Sequence, residues 1–113
     1  MIIRNVSRIV SAAASTNATL AKAAAGYLFF VSGYNAAASG KYLKLYDKAS
    51  APTVGTDTPK LTIYLPATAG FALNFDGLYF PTGIAYALTG AGADNDTTAL
   101  TAADILGLNV VFA

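Results

Sequence analysis

A chain of 113 residues with 12 % charged and 55 % hydrophobic residues is one domain with room for one core, since folding at this size buries roughly two-thirds of the surface that the unfolded chain exposes. Average soluble domains carry about 25 % charge, so a chain this poor in it is expected to cover part of its surface with neighbours. The lack of His, Cys and Glu excludes disulfides, thiolate and imidazole metal sites and the commonest proton shuttle, while few and scattered Lys and Arg argue against binding a nucleic-acid backbone.

The first segment, "MIIRNVSRIVSAAAS", is broken by Arg4, Asn5, Ser7 and Arg8. It holds no apolar stretch long enough for a secretory signal and reads as a strand, with residues 1–25 forming an N-terminal arm or an edge strand. No segment approaches the roughly 20 apolar residues of a membrane span, so no membrane partner is expected. The alanine-rich pieces "SAAASTNATLAKAAA" and "NAAAS" raise helix propensity locally, but their polar and glycine neighbours allow at most a short helical turn.

"GYLFFVSG" at 26–33 is a near-continuous apolar run, which suits a strand buried on both faces. The same reading applies to the C-terminal "ILGLNVVFA", which is expected to pair inside a sheet or be donated to a neighbouring subunit. Between them, period-two alternation marks half-buried strands. In "KYLKLYDK", Leu43 and Leu45 oppose Tyr42, Lys44 and Tyr46. In "KLTIYL", Leu61, Ile63 and Leu65 share one side. In "FALNFD", Phe71, Leu73 and Phe75 do so, and in "IAYALT", Ile84, Tyr86 and Leu88. Turn signals separate them: "SGYNAAASGK", "PATAG", "NFDG", "PTG" and "GAGADNDTT". "LTAAD" suits a single turn, with Thr101 as cap and Asp104 reaching back to it.

The expectation is therefore an all-β fold, a single antiparallel β-sandwich of jelly-roll or Ig-like type. Phe30, Leu45, Ile63, Phe75, Tyr86 and Val110 are its expected core residues.

The chemistry is sparse. Turn aspartates mostly bond their own backbone. In "GADNDTT", Asp94 and Asp96 are weak candidates for a hard cation. An EF-hand counted from Asp94 would need Gly and Glu where Ala99 and Ile105 stand, and the plainer reading is a solvated hairpin loop. No metal or cofactor is expected. A hydroxyl nucleophile would lack a histidine base, which argues against a hydrolase. Tyr42, Lys44 and Tyr46 on one strand face suit either stacking on sugars or a protein interface, or plain cross-strand pairing.

"YLKLYDKASAPTVGTDTPKLTIYLP" followed by "FALNFDGLYFPTGIAYALTGAGADNDTT" resembles a group of small virion proteins of tailed bacteriophages, over roughly residues 40–113. The resemblance implies a non-enzymatic structural protein, a capsid cement or decoration protein. Its implied partners are the major capsid protein lattice and itself as a homo-oligomer, a trimer. Its implied place is the capsid exterior, after synthesis in the bacterial host cytoplasm. The bridge at 49–59 would then be a contact loop stiffened by Pro52 and Pro59, with Thr53, Val54, Thr56 and Asp57 as interface candidates beside Tyr42, Lys44 and Tyr46. The plainer reading of the bridge is a crossover between the two sheets. Another part of the virion, tail or adaptor, and a carbohydrate-binding sandwich module are the alternatives.

Overall fold

The computed structural model describes residues 3–113. Among the described residues eight strands follow one another without a helix: β1 Asn5–Ile9, β2 Thr19–Lys22, β3 Gly26–Asn35, β4 Lys41–Asp47, β5 Leu61–Leu65, β6 Ala69–Phe80, β7 Ile84–Thr89 and β8 Ile105–Phe112. They form two four-stranded antiparallel sheets, ordered β1-β8-β3-β6 and β2-β7-β4-β5. The alanine-rich stretches that raise helix propensity become bends and the short β2, because β pairing with β7 satisfies the backbone there.

The pairs β1·β8, β2·β7, β3·β6 and β4·β5 read as one long hairpin folded in half, with 48–60 at its tip. Rolling that hairpin up adds β8·β3 and β7·β4. This is the jelly roll, one of the two sandwich types that the alternation suggests. The bridge therefore joins neighbours within one sheet, which removes the reading of it as a crossover between sheets.

Between the sheets lie Leu28 and Val31 of β3, Leu43 and Leu45 of β4, Ile84, Tyr86 and Leu88 of β7, and Ile105, Leu108, Val110 and Phe112 of β8. Ile63 and Phe75 pack at its margin. These are the inward halves of the alternating strands, and side chains of this size gain about 1.5–3 kcal/mol each on full burial. Two polar groups close the corners. Buried Asn35 donates through Nδ2 to Leu65 O at 3.0 Å and Ser39 O at 3.2 Å, and accepts from Ala37 N. Buried Ser11 accepts from Ile105 N and donates to Thr101 O, both at 3.0 Å. Thr101 N donates to Asp104 Oδ2 at 2.9 Å, which is the capping arrangement expected of "LTAAD", here in a turn.

Several expectations are corrected. Phe30 is not a core residue but 36 % exposed, because a register shift between Leu28 and Phe30 turns it outward. "GYLFFVSG" and "ILGLNVVFA" are not buried on both faces: Tyr27 and Leu106 are 47 % and 42 % exposed. β3 also runs on through "SGYN", so the turn before β4 is only 36–40. "NFDG" is no turn; it lies within β6 as a bulge opposite β3, with Asp76 at φ 51° and Gly77 at φ 81°. The strand buried along its whole length on both faces is β7, which alternation marks as half-buried.

The tip and the corner at 81–83 meet closely, since a Cβ at Gly83 would run into the Lys48 carbonyl oxygen. Leu45→Ala is expected to cost about 2–5 kcal/mol, read by urea denaturation, because Leu45 is wholly enclosed between the sheets. A cost under about 1 kcal/mol would mean that the sheets do not close over it.

Candidate functional site

The outward side of the second sheet carries Tyr42, Lys44 and Tyr46 on β4, as the alternation requires, with Ala85, Ala87 and Thr89 beside them on β7. It is not an open platform. Lys44 is 0 % and Tyr46 1 % exposed, because two loops close over them. Val54 in the 48–60 loop packs on Tyr46, Ala85 and Ala87, making a second small core outside the sandwich. Pro52 is also buried. The alanines leave the depth that Val54 and Tyr46 fill. The two loops touch as well: a Cβ on Gly55 would lie 2.6 Å from Thr97 Cγ2.

The tip loop holds itself. Thr56 N and Asp57 N donate to Thr53 O at 3.1 and 2.9 Å. Asp57 Oδ2 accepts from Thr53 N at 2.7 Å and from the Lys48 ammonium. Those bonds to Lys48 and Thr53 hold the Asp57 carboxyl below the usual range. Thr53 and Thr56 remain exposed on its outer surface.

The aspartate-rich loop is wound around a cation that belongs to the chain. Lys44 Nζ donates to Ala93 O at 2.6 Å and to Asp96 O at 3.3 Å. The Asp96 carboxylate accepts from Ala91 N, Thr98 N and Thr98 Oγ1 at 3.2, 3.1 and 2.8 Å. Burial raises the Asp96 pKa, but the bonds from Thr98 and Ala91 and the nearby Lys44 charge outweigh it and leave it lowered. Asp94 is exposed. No group of three or more metal-ligating His, Cys, Asp or Glu is gathered around them among the described residues.

Tyr46 Oη is buried with no hydrogen-bond partner. Burial, then the charges of Asp57 and Asp94, push its pKa up. Tyr42 is half-buried and its ring packs on that of exposed Tyr64, with centroids 5.3 Å apart. The seven candidates thus fall into a buried group of Lys44 and Tyr46, a half-buried group of Tyr42, Val54 and Asp57, and exposed Thr53 and Thr56.

The outer face of the first sheet is the open one, and sequence reasoning missed it. Register lays it out in rows across β6, β3, β8 and β1. Tyr79 pairs with Tyr27, their ring centroids 5.2 Å apart. Asn74, Phe30, Val111 and Val6 form the next row. Ala72, Ser32, Asn109 and Arg8 form a third, in which Asn109 Nδ2 donates to Ser32 Oγ at 3.3 Å. Gly70, Tyr34 and Leu106 form a fourth. Val6, Tyr27, Phe30, Tyr34, Tyr79 and Leu106 are all exposed, and the Arg4 guanidinium lies 4.1 Å from the centroid of the Phe29 ring. The signal was available in "GYLFFVSG", where the apolar residues on the second side are aromatic, the side chains that suit a surface meeting a partner.

No family model, no curated protein and no solved structure matches this chain. The fold and its surfaces define a jelly-roll sandwich with one sheet face covered over its central strands by its own loops and the other bare.

Because the Tyr46 hydroxyl is buried without a partner, Tyr46→Phe is expected to raise stability by about 1 kcal/mol, measured by chemical denaturation at pH 7. A loss of that size would show that the hydroxyl is bonded in solution.

Proposed function

We propose that this chain is a non-enzymatic structural protein of a bacteriophage particle, which binds the major capsid protein lattice as a homo-oligomer on the capsid exterior and stabilises it. The observation that carries the reading is the bare aromatic face of the first sheet, with Tyr27, Phe30, Tyr34, Tyr79 and Leu106 exposed together on a chain with 12 % charged residues. A free domain this small and this poor in charge keeps such a face covered. Jelly rolls are frequent in viral shells, which agrees at the level of fold, although fold alone assigns no function. A protein of this kind works by mass action: binding the assembled shell and not its loose subunits stabilises the shell.

The contact role expected of the tip loop narrows. Val54 is committed to the small core under the loop, so Thr53 and Thr56 are the tip positions that remain for a partner. A tail or adaptor position within the particle uses the same surfaces.

The second reading, a carbohydrate-binding module, is favoured by one observation, the exposed ring of Tyr64 set against Tyr42 at the β5 edge. A tyrosine ring backed by another offers the apolar area and polar tip on which sugars stack. Jelly rolls also serve as lectin domains.

A reconstruction of the virion tests the first reading. Density for this chain on the outside of the head is expected, and Thr56→Arg is expected to lower its occupancy there without lowering the melting temperature of the purified chain. Density confined to the tail would move the protein to another part of the particle, and saturable binding to a glycan array that Tyr64→Ala abolishes would support the second reading.

A further inference from the structure

We infer that the outer face of the first sheet is a self-association surface, on which a second copy of this chain packs face to face about a two-fold axis running parallel to the strands. The inference deepens the proposed function by naming the copy-to-copy contact, and rests on that reading only in treating the chain as self-associating. Four observations carry it.

The first is the composition of the face. Its rows are apolar at both ends, with Tyr27 and Tyr79 at one and Tyr34 and Leu106 at the other; between them lie the apolar Phe30, Val111 and Val6, and a polar row of Ser32 and Asn109 that runs from the small Ala72 to Arg8. A two-fold along the strands sets each row on the same row of the other copy, so that aromatic ends meet aromatic ends and the polar row meets itself.

The second is area. Four strands at about 4.8 Å spacing and about eight residues of length at about 3.3 Å give a face of roughly 19 by 26 Å. Two such faces together bury on the order of 1,000 Å², the lower bound for a specific interface.

The third is the placement of charge. Arg4 follows the β1 register to the level of Ala113, which exchanges both backbone hydrogen bonds with Tyr27. Asp76 lies on β6, in the bulge between the pairs Leu28↔Leu78 and Phe30↔Asn74. Arg4, just before β1, and Asp76 thus stand near one end of the sheet but at opposite edges. Asp76 is exposed, and neither residue joins an ion pair among the described residues.

The fourth is the choice between axes. Stacked sheets align their strands within about 30°, which leaves an in-plane two-fold either along the strands or across them. An axis across the strands lays β1 on β1 end for end and sets the edge that carries Arg4 and Arg8 against its own copy, which is repulsive. An axis along the strands lays β1 on β6, so that Arg4 of each copy stands over Tyr79 of the other with Asp76 beside it in the bulge, and Arg8 over the small Ala72. Complementary charge selects register in this way, and like charge rejects the alternative.

Sedimentation equilibrium on the purified full chain over a concentration series tests this. A shift from the 11.5 kDa monomer to about twice that mass is expected. Phe30→Arg is expected to leave the circular dichroism spectrum unchanged and hold the chain monomeric. Arg4→Asp and Asp76→Lys are each expected to weaken the dimer about tenfold or more, and their combination to restore it. Asp76→Ala carries the same positive φ without the added charge and controls for backbone strain. A chain that stays monomeric at millimolar concentration, a trimer mass, or a Phe30→Arg variant that still dimerises would overturn the inference, as would protection of these tyrosines only on capsid shells. These solution outcomes are separate from where the protein sits in a particle.

Discussion

Lys44 lies on the outward side of β4, and once two loops close over that side its ammonium is beyond the reach of solvent, so the loops themselves must supply the oxygens. Burying a charge without such partners is costly enough to prevent the arrangement. The main-chain carbonyls of Ala93 and Asp96 meet it, and the Asp96 carboxylate ties the loop's own amides together around it. The loop thus takes its shape from a cation already in the chain. Val54 then closes over Tyr46 and the small side chains of β7 from the other loop. The consequence for the molecule is asymmetry: one sheet is sealed over β4 and β7 by its own chain and the other is left with an aromatic face in the open.

The fold was legible because its signal is strictly local. Leu43, Leu45, Ile63, Tyr86 and Leu88 sit inward by period two, and a strand's alternation is decided by the strand itself. Phe30 broke the rule through a register shift beside it, and a bulge announces itself only when the partner strand is known. "NFDG" misled for a related reason: Asp76 and Gly77 supply the positive φ that a turn needs, and a bulge needs the same. The covered face was not legible because covering is a tertiary event. Ala85 and Ala87 look like the solvent side of a strand until a loop distant in sequence packs against them, and only the length of the 48–60 and 90–104 connections hinted that they had somewhere to lie. Alternation places Lys44 on that side but does not show that loops bury it there.

A chain built this way has its resources in surfaces. Six aspartates are spent largely on loops and corners: Asp47 accepts from Thr82 N and Gly83 N at the β6–β7 corner, Asp57 from Thr53 N at the tip, and Asp104 from Thr101 N before β8. Carboxylates so occupied shape the backbone. The edges matter as well. β1 and β6 end the first sheet, and the second ends at β2 and β5, so the open aromatic face is bordered on one side by β1, with Arg8 in it and Arg4 just before it, and on the other by a bulged strand with one aspartate. Bulges at an edge discourage indiscriminate strand addition, which leaves face-on contact as the orderly way to cover this sheet.

The central claim is that the first sheet's outer face is bare and that the middle of the second sheet's, over β4 and β7, is sealed. Hydroxyl-radical footprinting of the dilute, monomeric chain, resolved by residue, measures this directly. Fast modification of Tyr27, Tyr34 and Tyr79 is predicted, with strong protection of Tyr46, comparable to that of Tyr86 within the sandwich core. Modification of Tyr46 at the rate of Tyr79 would contradict it, since the loops would then not close over Lys44 and the asymmetry between the two faces would be lost.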